Sequence, residues 1–186
     1  MPLVVLGLGS NIRRHYHLTR ALDALATLAG PAPLQLSRVF ESQAVGFDDD
    51  RPFYNLVAAF ETERAAAAIG DDCKAIERDN GRPAGPTKLI ARTLDIDVLL
   101  WGDAVGHYGD TRLPREDILR YAFVLHPLAE LLPSHRHPLD GRTFAALWAA
   151  FDAADQPHHA VDFPWGDRLV SRAGAPEDRT GTMKPV

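Results

Sequence analysis

The segment that most restricts the fold is TLDIDVLL, at residues 93–100. It alternates two aspartates with apolar residues, as a β-strand with two different faces does. Because residues i and i+2 of a strand point to the same side, Asp95 and Asp97 share one face, and Ile96 and Val98 share the other. The apolar face must pack against another layer, whereas two adjacent carboxylates repel each other unless a cation or a proton lies between them. The sequence therefore predicts a sheet with its core on one side and a polar site on the other.

The segments before this strand predict the topology. Short apolar runs bounded by turn residues indicate strands, and apolar residues at helical spacing indicate helices. With the aspartate strand, they predict a βαββαβ order and an α+β fold of the ferredoxin-like type, in which the helices cover one face of an antiparallel sheet. In chain order we expect a strand at 3–6 that ends in a turn at 7–11, a helix at 15–28, strands at 34–40 and 55–63, and a helix at 63–79.

The rest of the chain is expected to extend the same domain. We predict a helical or mixed segment at 121–132 and a short helix at 143–151. Beyond Asp167 the sequence turns polar and loses periodicity. Residues 1–167 are therefore interpreted as a single domain, and residues 168–186 as a flexible C-terminal tail.

Composition and charge exclude several classes of function. The net charge is −5, so nucleic acid is not an expected partner, and any anion site must come from a local group of basic residues. The single cysteine, Cys73, is expected to pack in the core and rules out an internal disulfide framework. The N-terminal apolar run has no basic leader and is too short to span a membrane. We expect a cytoplasmic protein with no membrane partner, as a monomer or weak dimer.

Basic residues flank the paired carboxylates on both sides. Hard divalent cations such as Mg²⁺ bind oxygen ligands, commonly one or two carboxylates together with substrate phosphates. Arginines around metal-binding acids are typical of phosphoryl transfer, which depends on positioning and charge neutralisation. For the carboxylate pair alone, an exposed strand with two solvated aspartates is the simpler alternative. The flanking basic residues are Arg78, Arg82, Lys88, Arg92, Arg112, Arg115 and Arg120.

Four blocks of the sequence resemble the 6-hydroxymethyl-7,8-dihydropterin pyrophosphokinases of folate biosynthesis. They are LGLGSN, FYNLVAAFET, RTLDIDVLLWGD and LPREDILRYAFVLHPLAEL, in that order. The resemblance implies a ferredoxin-like, Mg²⁺-dependent enzyme that transfers pyrophosphate from ATP to the hydroxymethyl group of the pterin and releases AMP. The chain has neither a P-loop motif nor a complete dinucleotide fingerprint, so those two nucleotide-binding scaffolds do not apply.

The resemblance also implies roles for individual residues. By this resemblance, Asp95 and Asp97 bind two Mg²⁺ ions and form the catalytic set with Arg82 and Arg92. The implied ATP contacts are Glu77, Arg82, Lys88, Arg92, Val98, Arg112 and Arg115. The implied pterin contacts are Ser42, Val45, Phe53, Asn55 and Phe123.

The chemistry of a pterin agrees with part of this assignment. A flat heteroaromatic ring can be sandwiched by two aromatic side chains, here Phe53 and Phe123, while the amide of Asn55 reads its edge. Core packing of the two phenylalanines and a turn-capping role for Asn55 are the structural alternatives.

Several positions depart from the usual pattern of that family. Ala84 and Lys88 stand where arginines are usual, and Leu89 stands where a tryptophan is usual. Arg115 replaces a histidine, and Tyr121 replaces an arginine. Three alternatives to the enzyme therefore stay open: a pterin- or nucleotide-binding protein without transfer activity, another two-metal phosphotransferase, and a ferredoxin-like interaction domain without an active site.

Overall fold

The computed structural model describes residues 1–43, 50–81 and 93–174. None of the helices in these ranges is long and apolar enough to cross a membrane. In chain order the elements are β1 (Leu3–Ser10), α1 (Arg14–Ala29), β2 (Gln35–Leu36), β3 (Val39–Ser42), β4 (Phe53–Glu61), α2 (Ala66–Asp79), β5 (Asp95–Trp101), β6 (Gly106–Tyr108), β7 (Thr111–Leu113), α3 (Asp117–Arg120), α4 (Ala122–Leu131), α5 (Phe144–Ala149), β8 (His158–Val161), β9 (Phe163–Trp165) and β10 (Arg168–Ser171).

Six of the described strands form one antiparallel sheet. Its order is β5-β1-β4-β3-β8, and the short β2 also pairs with β4. β2 and β3 together take the place of the second strand expected from the sequence. The first and third strands of the βαββαβ order therefore lie at the centre, between the fourth and the second. The predicted ferredoxin-like α+β fold is confirmed, and β8 extends it by one edge strand.

The sheet carries an apolar layer on each face. On one face, Ile96 and Val98 of β5 are buried together with Cys73 of α2 and the apolar stripe of α1, as the pattern predicts. On the opposite face, α4 and α5 pack against Val5 of β1 and Leu99 of β5. The second pair of helices lies outside the βαββαβ pattern, and it leaves uncovered the sheet surface beside Asp95 and Asp97.

The expected turn at 7–11 is wrong, because β1 continues through both of its glycines. β1 pairs with β4 along its whole length and with β5 along most of it, and these pairings outweigh the low strand preference of glycine. A Cβ atom on Gly9 would lie 2.9 Å from Oδ1 of Asn55, and one on Gly7 would lie 3.3 Å from Cδ1 of Leu99. The two glycines therefore let side chains of the neighbouring strands approach the middle strand closely.

The expected tail boundary at residue 168 is also wrong. Arg168–Ser171 form β10, which pairs antiparallel with β9. Ser171 is buried, and its hydroxyl accepts a hydrogen bond from the N–H of Val39 at 2.9 Å and donates one to the carbonyl of Val161 at 2.6 Å. The ordered domain therefore includes β10, and residues 175–186 lie outside the described residues.

The Ser171→Ala substitution tests this boundary. It removes the partner of the Val39 N–H, so we expect the free energy of unfolding to fall by about 1–3 kcal/mol in chemical denaturation. The matched control is Leu169→Ala on the same strand, where the side chain is 44% exposed and the expected change is about 0.5 kcal/mol or less. Equal, negligible effects of both substitutions would mean that this segment is a frayed tail after all.

Candidate active site

A cleft of about 310 Å³ opens on the sheet face that carries the two aspartates. Its floor comes from β1, β4 and β5, and one wall comes from the chain that leads from α3 into α4. The cleft brings together residues that are far apart in the sequence and that the family resemblance had selected. These are Ser42, Phe53, Asn55, Asp95, Asp97, Arg115 and Phe123.

β1 separates two functional sides of the cleft. In the sheet register, Gly9 lies opposite Asn55 of β4 on one side and Asp95 of β5 on the other. Gly7 has Asp97 as its neighbour on β5. Since neighbouring strands lie about 4.8 Å apart, Asn55 and Asp95 are separated by roughly 10 Å across a floor without a side chain between them. The cleft therefore has an amide on one side and carboxylates on the other.

The amide side combines one oriented polar group with aromatic walls. Asn55 is buried, and its Nδ2 donates a hydrogen bond to Oγ of Ser42 at 3.0 Å, which fixes the direction of the amide. The rings of Tyr121 and Phe123 are stacked, with centroids 5.1 Å apart and planes inclined by 16°. Both rings line the cleft together with Phe53. This side suits a flat heteroaromatic ligand that has donors and acceptors along one edge.

The carboxylate side is built around Arg115. Its Nη2 lies 3.1 Å from Oδ1 of Asp97, and its Nε donates to Oδ2 of Asp117 at 3.0 Å. Its backbone N–H donates to the carbonyl of Leu99 in β5 at 3.0 Å. The guanidinium is thus fixed to the strand that carries the aspartates and bridges two carboxylates from different elements.

Asp97 is an unusual carboxylate. Burial is the main cause that raises its pKa, and the neighbouring Asp95 raises it further, to about 7, although the guanidinium of Arg115 acts in the opposite direction. The side chain of Asp97 is still 34% exposed, so it can be reached from the cleft. A carboxylate that is costly to ionise next to a second carboxylate is typical of a site that receives a cation.

Comparisons with known proteins show the family of the chain. The model of the family described as 7,8-dihydro-6-hydroxymethylpterin-pyrophosphokinase (HPPK) matches residues 5–133. The 2-amino-4-hydroxy-6-hydroxymethyldihydropteridine pyrophosphokinase of Pseudomonas aeruginosa is 36% identical over 148 residues, which cover 79% of this chain and 90% of that protein. The protein of the same name from Porphyromonas gingivalis is 35% identical and covers 72% of this chain and 92% of its own length. The chain belongs to the HPPK family.

Solved structures share the fold of the chain at low sequence identity. The crystal structure of a Plasmodium falciparum HPPK-DHPS variant with pterin and p-hydroxybenzoate covers 91% of this chain with a TM-score of 0.61 and 12% identity. The chain spans only 48% of that protein. It likewise spans 36% of the folate synthesis bifunctional protein of Chlamydia trachomatis, with which it is 32% identical. The likeness to these larger proteins therefore concerns only part of their length.

Three positions that the resemblance assigned to ATP lie away from the cleft. The side chain of Val98 is buried under α1 and α2 and does not face the cleft. Glu77 is buried in α2, where its Oε1 accepts a hydrogen bond from the N–H of Ile96 at 2.7 Å and so holds β5 from below. Arg112 is exposed, and its Nη1 lies 3.8 Å from Oε1 of Glu116.

Four other predicted positions fall outside the described residues. They are Val45 on the pterin side and Arg82, Lys88 and Arg92 on the ATP side. Their roles stay predictions that the described geometry does not address.

The cleft also contains residues to which the sequence alone assigns no role in the site. Asp117 is the second partner of Arg115, and Tyr121 backs Phe123. In the sequence, Tyr121 is distinguished only because it replaces an arginine that is usual in the family. The signal for the glycine floor was present in LGLGS, because glycines two residues apart lie on the same face of a strand. No comparable spacing pointed to Asp117.

The HPPK family uses ATP as co-substrate, and the donor set fits a metal ion that accompanies it. Asp95 and Asp97 lie on one strand face and line the same cleft, and their oxygens are the ligands that Mg²⁺ prefers. Asp97 already lies against a cationic group, Arg115, so positive charge is accommodated there. Within the described ranges, no group of three or more metal-ligating side chains is present.

The raised pKa of Asp97 predicts a pH-dependent stability. Because the pKa is higher in the folded protein than in the unfolded chain, ionisation of Asp97 destabilises the metal-free fold progressively from about pH 4 to about pH 7. Asp97→Asn removes this cost. Because Asp97 is partly exposed, the cost of ionising it is limited to about 1 kcal/mol. We therefore expect the melting temperature of the variant to lie roughly 2–4 °C above that of wild type at pH 8, and the difference to be smaller at pH 5.

Thermal melts in EDTA at the two pH values measure this difference. Asp103→Asn, at an exposed position just after β5, makes the same change of charge outside the cleft and should not reproduce the pattern. An Asp97→Asn variant that melts below wild type at pH 8 would contradict the predicted sign.

Proposed function

We propose that this cleft transfers pyrophosphate from ATP to the hydroxymethyl group of 6-hydroxymethyl-7,8-dihydropterin, with Mg²⁺ as the metal, and releases AMP. The observation that carries the proposal is that Asp95 and Asp97 share one cleft with Asn55, Phe53 and Phe123 in a chain of the HPPK family. The carboxylates suit the charged part of the reaction, and the aromatic and amide groups suit the pterin.

The pterin would bind on the amide side of the cleft. Phe53 and Phe123 would cover the faces of its ring, and Tyr121 would support Phe123 from behind. The amide of Asn55, held by Ser42, would exchange hydrogen bonds with the edge of the ring. This places the pterin across the glycine floor, with its reactive substituent towards the aspartates.

The triphosphate would bind on the carboxylate side. Asp95 and Asp97 would hold two Mg²⁺ ions, whose chemistry is to neutralise the phosphate charge and to lower the pKa of the attacking hydroxyl. Arg115 lies in the cleft and would donate to the phosphates. Arg82, Lys88, Arg92 and Arg112 are the further cationic groups that the resemblance assigns to ATP.

The transfer needs positioning more than covalent help from the protein. The hydroxymethyl oxygen forms a bond to the β-phosphorus while the bond between that phosphorus and the α-phosphate oxygen breaks. The hydroxyl proton passes to solvent, and AMP leaves with the α-phosphate. Asn55 and the aromatic walls hold the acceptor, and the guanidinium of Arg115 neutralises charge that develops on the transferred group.

The direct test is AMP formation from ATP and Mg²⁺, measured with and without 6-hydroxymethyl-7,8-dihydropterin. We expect AMP that depends on the pterin. Tight binding of the pterin, measured by calorimetry, without formation of AMP would instead favour a binding protein of this fold. If the pterin neither binds nor changes AMP formation, a different phosphotransferase or an inactive domain is favoured.

The Asp97→Ala substitution tests the role of the carboxylate pair. Loss of one ligand for the cation should lower pterin-dependent AMP formation by about 10²–10³-fold or more, while calorimetric pterin binding stays measurable. Asp103→Ala, which removes an exposed carboxylate outside the cleft, should keep wild-type turnover. A folded Asp97→Ala protein with near-normal turnover would exclude the proposed mechanism.

The Asn55→Ala substitution tests the pterin side independently. It removes the oriented amide, so we expect the dissociation constant for the pterin to rise by about 10- to 100-fold, which corresponds to about 1–3 kcal/mol. The dissociation constant for ATP should stay within about twofold. Ser42→Ala removes only the group that orients the amide and should have a smaller effect. A similar loss of ATP and pterin binding would indicate general damage to the cleft.

A further inference from the structure

The side chain of Arg115 divides its donors between two carboxylates that have different positions in the site. Nη2 contacts Asp97, which belongs to the proposed metal-binding pair, whereas Nε donates to Asp117 at the start of α3. A guanidinium has five N–H donors on three nitrogens, and these two contacts use Nε and Nη2. Nη1 is therefore not needed for these contacts and can serve a further anion.

The anchoring of Arg115 makes this arrangement durable. The backbone N–H donates to the carbonyl of Leu99 in β5, and Nε donates to Asp117, so the residue stays anchored and the side chain keeps its bond to Asp117 when the contact to Asp97 is broken. A divalent cation bound to the aspartates would repel the guanidinium and so weaken its contact with Asp97, because like charges repel at short range.

We propose that Arg115 is a built-in counter-ion of the metal-binding pair, which releases Asp97 when a divalent cation binds and then donates to the nucleotide phosphates while Asp117 keeps it in the cleft. This inference rests on the proposed function, because it assigns the cation to Asp95 and Asp97. It makes Arg115 a competitor of the free metal ion and a partner of the nucleotide. Binding of the metal ion and binding of ATP are then coupled through one side chain.

The Arg115→Gln substitution tests this coupling by two binding measurements that should move in opposite directions. We expect the dissociation constant for Mg²⁺ alone, measured by calorimetry at pH 8.5 without nucleotide, to fall by about tenfold because the competing charge is gone. We expect the dissociation constant for ATP, measured at saturating Mg²⁺ so that Asp97 has released Arg115 in wild type, to rise by about tenfold because a phosphate donor is lost. A merely structural role of Arg115 would weaken both interactions together. Mg²⁺ binding that is not tighter than in wild type overturns the inference.

Two further variants separate charge from general damage. Arg115→Lys keeps the charge, so it should return the Mg²⁺ affinity towards the wild-type value even though it lacks the fork. Arg142→Gln removes a guanidinium that pairs with Asp140 before α5, and both dissociation constants should stay within about twofold of wild type. If Arg115→Lys binds Mg²⁺ as tightly as Arg115→Gln, charge competition is excluded.

The location of the ion and the proposed function are checked separately. Adding Asp97→Asn to Arg115→Gln should abolish the gain in Mg²⁺ affinity, and retention of the gain would place the ion elsewhere and overturn the inference. Pterin-dependent AMP formation by wild type, together with an unchanged Mg²⁺ affinity in Arg115→Gln, would reject only the counter-ion role. A wild-type protein that forms no AMP and binds no ATP would reject the proposed function itself, and the inference with it.

Discussion

The site depends on the pairing of β1 with β4 on one side and with β5 on the other. This double pairing fixes the register in which Gly9 stands between Asn55 and Asp95. A shift of one residue on either side would turn the amide or the aspartates to the opposite face, where α1 and α2 bury the apolar side chains. The distance between the amide side and the carboxylate side is therefore set by backbone hydrogen bonds of the sheet.

The charged side shows what such a rigid frame imposes. The sheet holds Asp95 and Asp97 next to each other, and burial prevents water from fully compensating the repulsion, as the raised pKa of Asp97 shows. Glu77 secures the strand from the other face through its bond to the N–H of Ile96, so β5 is held while its two carboxylates repel each other. Arg115 relieves part of this repulsion in the protein without metal. A site that is unfavourable when empty and satisfied by cations is a common cost of function in a stable fold.

The amino-acid sequence predicted the elements that have a strong periodic signal and missed those defined by distant partners. The alternation around Asp95 and Asp97 predicted the two-faced strand, and the ferredoxin-like order followed from the spacing of apolar runs. Gly7 and Gly9 by themselves suggested a turn. β1 continues through them because it pairs with β4 on one side and with β5 on the other, and the local sequence does not contain those partners. The position of β10 depends on Ser171 meeting Val39 across the fold, and that contact leaves no local pattern. Asp117 bonds to Arg115 only two residues away, but it is the fold that brings this pair into the cleft beside Asp97.

The balance of charge in the cleft adds a constraint on how ATP can enter. Among the described residues that line the cleft, Asp95, Asp97 and Asp117 are acidic and Arg115 alone is basic, and the whole chain is acidic as well. A bare triphosphate would therefore meet repulsion at the very place where its phosphates must lie. Positive charge has to arrive with the nucleotide or from basic residues such as Arg82, Lys88 and Arg92, which lie outside the described residues. Under the counter-ion proposal, Asp97 would hold Arg115 until a cation takes its place, and the guanidinium would become available to the phosphates when the metal ion has reduced the repulsion. Selectivity for a metal-bound nucleotide then follows from the arrangement of four charged side chains.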